Sequence, residues 1–380
     1  MFDKILNYML PYYQKLDDKE KKIAKRKPLA FVFITLFVLS FFAHSLYADR
    51  DMDDLRWSEN LTATPEIQAE TNEISTHAVK VSCGTYLSNV YNINLKGSFS
   101  YTMYIWFKWI GSPDLDMANH FHIYNSTISK KQIMRSYRDG DINYQMVRVN
   151  ATMAKKFNTG GFPLDSHQFY IAVEPDVTAR AVVLVADAYN SSVNPDRSIP
   201  GYKLMRSAVA SVPHKYNYSR GDVRLEKETG GKNIASLLIT AFQIDREGVG
   251  LHLKCFIGLF GCLIWVIIVM YLNIYHRIDP LSMVPAALFG SIANMMVGAS
   301  LLPDALEIGL LEYVNIWGIF IILSVAMTVI NVNAIRREQK AAGHEHAYLA
   351  AVYGRIMFYI VTTFVVLGNV ILPGIVLLAW

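Results

Sequence analysis

Cysteine is nearly missing from this chain, with three residues in 380. Cys255 and Cys262 lie inside an apolar run, so Cys83 stands alone in the polar middle and no intrachain disulfide can form there. That middle must rely on a hydrophobic core, and at about two hundred residues it is long enough to build one. A surplus of one charge is missing too. The 36 Lys/Arg against 32 Asp/Glu leave a net charge of +4, and the bases gather on no single soluble helix or strand, which excludes a nucleic-acid partner. Nor is there a complete metal centre. His120-Phe121-His122 sets two imidazoles on one face of a strand and His344-Glu345-His346 repeats the pair, but neither has a visible third ligand of the kind a zinc site needs. The reading is therefore not an enzyme, and no cofactor is expected beyond, at most, a modulatory divalent cation. Asp49, Asp51, Asp53 and Asp54 read as a solvated linker in preference to a calcium site.

Hydrophobicity is plentiful and unevenly spread. Hydrophobic residues make up 52% of the chain and its mean hydropathy is +0.22, which points away from an ordinary soluble protein. Residues 1–28 carry eight Lys/Arg against four acids, placing this end in the cytoplasm by the positive-inside rule. The apolar block from Leu29 to Ala48 is either an uncleaved anchor or the core of a signal peptide cut at Ala48. The long charged stretch before it, and Leu46 two residues before the cut, favour the anchor. Four more spans are expected at Leu253 to Ile274, Leu281 to Leu302, Leu310 to Ile335 and Arg355 to Trp380, each near the roughly 20 residues that cross a bilayer. His276, Arg277, Arg336, Arg337, Lys340 and Arg355 then fall in inner loops and Asp304, Glu307 and Glu312 in the outer loop, with lipid as the surrounding partner.

Between the first span and the others the period changes to two. In Phe99-Ser100-Tyr101-Thr102-Met103-Tyr104-Ile105-Trp106-Phe107 the odd positions are all apolar or aromatic, which describes a strand with one buried face. Val79 to Cys83 alternates likewise, and further strands are expected at Gln145 to Ala151, Gln168 to Glu174, Ala181 to Ala186, Met205 to Val212 and Ile234 to Ile244. Short strands separated by turn signals favour an antiparallel sandwich. The expected fold is a membrane protein: an extracytoplasmic antiparallel β-sandwich, a four-helix transmembrane bundle after it, and one N-terminal transmembrane helix. The divisions fall at 1–28, 29–48, 49–250 and 251–380.

Four stretches, in order, resemble the pentameric ligand-gated ion channel superfamily, the Cys-loop receptors, in a bacterial form. Val79 to Leu115 is similar to that family's first two strands and the aromatic-rich element ending them. Phe162-Pro163-Leu164-Asp165-Ser166-His167-Gln168 is close to its F-P-F-D-x-Q loop, Arg246 in FQIDREGVG matches the base before the first channel helix, and Leu301-Leu302-Pro303 matches the end of the pore helix. The resemblance covers Val79 to Trp380. The flanking cysteines are absent and the N-terminal anchor is an addition. Pro280, Pro285, Gly290 and Gly298 interrupt the pore segment, and Pro285, read as central in it, is expected to bend the helix.

The resemblance implies a homopentamer in a bacterial cell membrane, gated by a small ligand or ion at the β domain. Counting back from Pro303 at helical spacing puts Ser300, Met296, Ala293, Phe289, Ala286 and Ser282 on one face, with Phe289 as a hydrophobic gate and Ser282 as a polar ring. The competing wet face carries Ser291, Asn294 and Gly298. Asp279 sits where cation channels of the family place an acidic ring. Asp165, Arg246 and Asp304 are the implied coupling cluster. The implied ligand-binding residues are Tyr124, Asn125, the loop Glu174 to Arg180, Tyr202, Tyr216, Tyr218 and Arg220. Aromatic rings with a carboxylate among them suit a cationic amine. The alternative is a non-conducting receptor-like sensor or scaffold that signals to a partner through the basic N-terminal segment.

Overall fold

The computed structural model describes residues 12–194, 199, 201–217, 233–302, 308–343 and 347–379. After a 3-10 turn at Tyr13–Lys15 come a long helix, α1 (Asp18–Leu61), and a short one, α2 (Pro65–Ile74). Thr64 starts α2 by accepting the Ile67 N–H at 3.4 Å, and Pro65 follows in the first turn, where its missing N–H costs nothing. Ten strands come next among the described residues: β1 (Val79–Asn94), β2 (Ser98–Ile110), β3 (Phe121–Ile123), β4 (Ser126–Asp139), β5 (Ile142–Ala154), β6 (Ser166–Pro175), β7 (Val182–Ala186), β8 (Ser192–Val193), β9 (Tyr202–Tyr216) and β10 (Asn233–Arg246). Four helices follow, α3 (Gly250–His276), α4 (Val284–Leu301), α5 (Leu310–Ala341) and α6 (Tyr348–Ala379). The chain divides into two compact units: a helical one with the described residues before 51, Thr159–Asp165 and those from 248 on, and a β unit with the rest.

The β unit holds two sheets, ordered β4-β5-β2-β1-β7, with β8 also on β1, and β3-β6-β10-β9. The alternation in β2 is realised in full. Phe99, Tyr101, Met103, Ile105 and Phe107 are all buried, and one apolar cluster joins them to Val147 and Val149 of β5, Phe169 and Ile171 of β6 and Phe242 of β10. The expectation of a wholly antiparallel arrangement needs correcting, because β7 and β8 both run parallel to β1. After β6 ends in the second sheet, the chain crosses to the free edge of β1 and arrives pointing the same way.

The second sheet is covered twice. Its other face carries Ala172, Val212, Leu237, Ile239 and Ala241, and onto it pack Trp57 and Leu61 from the end of α1 and Ala63 beyond it. That explains why Ile234 to Phe242 reads as a nearly unbroken apolar run where β2 alternates: a strand buried on both faces has no wet side to alternate with. The Asp49 to Asp54 region is not a linker but part of α1. Asp53 accepts from Asn158 Nδ2 at 2.9 Å, and Asp54 pairs with Arg206 at 2.9 Å. Farther along, Glu70 of α2 pairs with Lys215 of β9 at 2.6 Å.

Among the described residues five helices are long and apolar enough to cross a membrane: α1, α3, the segment Leu281–Gly298 that includes most of α4, α5 and α6. In the helical unit α4 and α6 each pack on α3 and α5, without substantial packing on one another. The described first part of α1, through residue 50, lies along α5. Gln339 Nε2 donates to Glu20 at 2.9 Å, Phe31 stacks on Phe320 at 6.3 Å and Phe42 meets Tyr313 at 4.7 Å. Residue numbers rise on one helix as they fall on the other, so the two are antiparallel. The helix continues through Pro28 to Leu61, well beyond the apolar block 29–48.

The expectation that Pro285 bends the helix of this segment is overturned. A short 3-10 turn spans Leu281–Met283, α4 begins at Val284, and Pro285 lies in its first turn. The first four N–H groups of any helix have no intrahelical acceptor, so a proline there removes nothing and bends nothing.

Candidate functional site

The ligand-binding candidates separate in the β unit. Tyr124 and Asn125, in the turn between β3 and β4, line a cavity of about 560 Å³ over the second sheet. Its floor is Ala172, Val212, Leu237 and Ile239, its end wall includes Phe99 and Lys155, and its roof is Asn60, Thr62 to Thr64 and Ile67. Tyr124 is 6.4 Å from the His214 ring, and His214 meets Tyr216 edge-on at 4.6 Å. Three rings thus run along one end of the sheet.

Tyr216 leads to a charged cluster. Its hydroxyl donates to Glu174 at 2.7 Å. His122 lies 3.5 Å from the same carboxylate through Nε2 and 2.9 Å from Asp176 through Nδ1. Glu174 first and Asp176 after it hold the imidazole in its charged form, against the opposing effect of burial, and raise its pKa to about 9. A histidine raised above the usual ~6.5 adds stability that is complete below that value and lost as pH climbs through the folded-state one. The β unit is expected to lose resistance to denaturant from pH 6.5 to 9, and His122→Gln to flatten that slope. An unchanged slope in the variant would place its origin elsewhere. His120 turns away from this cluster, its Nδ1 lying 3.1 Å from the carbonyl oxygen of Asp116. The pair His344/His346 lies outside the described residues.

Tyr202 is not part of the Tyr124 group. It lines a second cavity, of about 400 Å³, with Leu87, Asn89 and Phe242. Arg246 stands 4.3 Å over the Tyr202 ring and donates to its hydroxyl. Tyr218 and Arg220 lie outside the described residues, as does Asp304. Asp165 is fully buried in the Thr159–Asp165 stretch of the helical unit, whereas Arg246 belongs to the β unit. That stretch is held among the helices by a hydrogen bond from the Leu310 N–H to the Gly160 carbonyl at 2.7 Å. A Cβ on Gly309 would come within 2.5 Å of the same oxygen, so only glycine admits the approach.

In α4 the two candidate faces have different surroundings. Ser282, Ala286, Phe289, Ala293, Met296 and Ser300 are all exposed, Phe289 at 71% and Met296 at 70%. The Ser291, Asn294 and Gly298 face is turned inward. Ser291 donates to the Leu288 carbonyl at 2.9 Å, and Asn294 Nδ2 donates to Asn315 Oδ1 at 3.0 Å. A Cβ on Gly290 would stand 2.6 Å from Cys262 Sγ, so small residues let α3 and α4 approach closely. Asp279 is exposed before the helix, where its carboxylate accepts the Leu281 N–H at 3.4 Å.

Sequence reasoning missed Tyr170, His214, Lys155 and the roof. Tyr170 and His214 stand on the outward-facing positions of strands, where alternation predicts polar surface. Only the covering segment turns them into a cavity lining. Burial pushes the Tyr170 hydroxyl up to about 12 and the Lys155 ammonium down to about 8. No protein-family profile matches this sequence, and no curated protein shows significant similarity to it.

Proposed function

We propose that the chain is one subunit of a ligand-gated ion channel of the pentameric kind, with its β unit as the receptor and the Phe289 face of α4 lining the pore. The observation that carries this reading is the contrast among exposed helix faces. The free face of α1 presents Phe33, Phe37 and Phe41, and that of α6 presents Val366 and Val370, as lipid-facing helices do. The centre of the free face of α4 is a line of Ser282, Ala286, Ala293 and Ser300 with Phe289 and Met296 between them, flanked by Ile292 and Val297. Small and hydroxylic side chains suit a water-filled path, and a ring of Phe289 suits a constriction that closes by dewetting. Pro285 at the helix start takes away the main argument for a broken pore helix. Under this reading the oligomer is a pentamer in a bacterial cell membrane. The N-terminus is cytoplasmic, the β unit is the extracytoplasmic sandwich, and Asp279 favours cations.

The test is purified protein in planar bilayers. Single-channel steps are expected, with Phe289→Ala raising the basal current several-fold and Asp279→Ala moving the reversal potential toward that of chloride. Silence across ligands, pH and voltage would replace this reading with a non-conducting receptor-like sensor. That second reading has one observation of its own, the packing of the extra helix α1 along α5.

A further inference from the structure

We infer that the cavity beneath the α1–α2 arm binds a small aromatic carboxylic acid, with Lys155 as its counter-charge. The inference rests on reading the β unit as the receptor and is independent of conduction.

Size comes first. A cavity of about 560 Å³ is within the roughly 300–1,000 Å³ of small-molecule sites. Its floor is aliphatic and its sides carry the rings of Tyr124 and Tyr170, which suits a flat apolar body. The roof is a built element: Trp57 stands 5.9 Å from the Tyr170 ring and 4.3 Å from the Arg206 guanidinium, and the Asp54–Arg206 and Glu70–Lys215 pairs fasten the arm on either side of the roof.

Charge decides the class. An amine site needs a carboxylate among its rings. Glu59 is the one acidic side chain in the lining, and it is exposed at the rim, against two lysines in the wall. The Lys155 ammonium has no hydrogen-bond or ion-pair partner among the described residues. Its ammonium stands 5.4 Å from the Phe157 ring and 5.2 Å from that of Phe169. The acid that acts on it, Asp53, is already engaged by Asn158 at 2.9 Å and Arg56 at 3.3 Å. A largely buried cation with no anion of its own is stabilised by a ligand that brings one. The expectation of a cationic amine is therefore replaced, for this cavity, by its opposite.

The experiment is titration of the full-length protein in detergent micelles with 3-phenylpropionate and with phenethylamine, followed by calorimetry or ligand-observed NMR. The acid is expected to bind and the amine not. Lys155→Met should weaken the acid about tenfold or more, the worth of one charged hydrogen bond, while Lys155→Arg retains it. Affinity should also fall as pH passes 8. Ala63→Trp, which fills the cavity from its partly exposed roof, should block binding with the sheet left intact. Preferential binding of the amine, no binding of the acid at about millimolar concentration, or acid affinity unchanged in both Lys155→Met and Ala63→Trp would overturn the inference. Because binding is read without current, a silent bilayer leaves this result standing, and a conducting channel that binds no acid separates the two conclusions.

Discussion

Gly309→Ala is expected to drive the Thr159–Asp165 stretch out of its seat in the helical unit. The new methyl group would lie 2.5 Å from the Gly160 carbonyl oxygen and 2.8 Å from its Cα. Both are backbone atoms, which cannot swing aside as the end of a long side chain can. The chain must shift, and in shifting it loses the Leu310 to Gly160 hydrogen bond. Overpacking costs about 1–3 kcal/mol and the bond about 0.5–1.5 kcal/mol more. Limited proteolysis should find new cuts between residues 159 and 165, and if the chain is the ligand-gated channel proposed above, the current evoked by ligand should collapse while binding to the β unit persists. Unaltered proteolysis and current in the variant would mean that this seat has no part in function.

Phe169→Ala is expected to remove a large part of the stability of the β unit. Phe169 is fully buried, stacked parallel to Phe242 at 4.7 Å and edge-on to Phe99 at 4.6 Å. Removing such a ring costs about 3–5 kcal/mol, plus the favourable geometry of two aromatic pairs at about 0.5–1.5 kcal/mol each. Domains hold about 5–15 kcal/mol in all. Fluorescence from Trp106 and Trp109, both in β2, should reach the unfolded value at a much lower denaturant concentration in the variant. Phe169→Leu keeps most of the volume and should keep the fold. A native-like spectrum and an unchanged denaturation midpoint in the alanine variant would show that the three rings do not hold the unit together.

Those three rings also show what kind of structure is readable in advance. Phe99, Phe169 and Phe242 each fall in an expected strand, because a strand with a buried face repeats every two residues. β4 was not anticipated, and the reason is physical. Apart from Ser126 and Ile128 every residue in it is exposed, so Lys130, Lys131, Arg135 and Arg138 sit among Ile133, Met134 and Tyr137 without a period. An edge strand of this kind carries charge to discourage further pairing, and the charge erases the signal. In α1 the legible part was the apolar block 29–48. The polar turns on either side form helix through contacts such as Glu20 with Gln339 and Asp54 with Arg206, which no local pattern announces.

The candidate sites divide along the same line. Tyr124 and Asn125 line a cavity that exists because residues 57–67 fold over strands more than a hundred residues later in the chain. Likewise, helical spacing defined two faces for α4 without choosing between them. Sequence alone determined where the apolar spans and most of the strands lie, because burial in lipid or against one face of a sheet selects residue types at a regular interval. Tertiary structure alone decided that Asn294 is spent on Asn315, that Phe289 is left free, that Pro285 opens a helix without bending it, and that a lysine waits under the arm. Each of those depends on which distant segment arrives beside it, and contact between distant segments leaves no period to read.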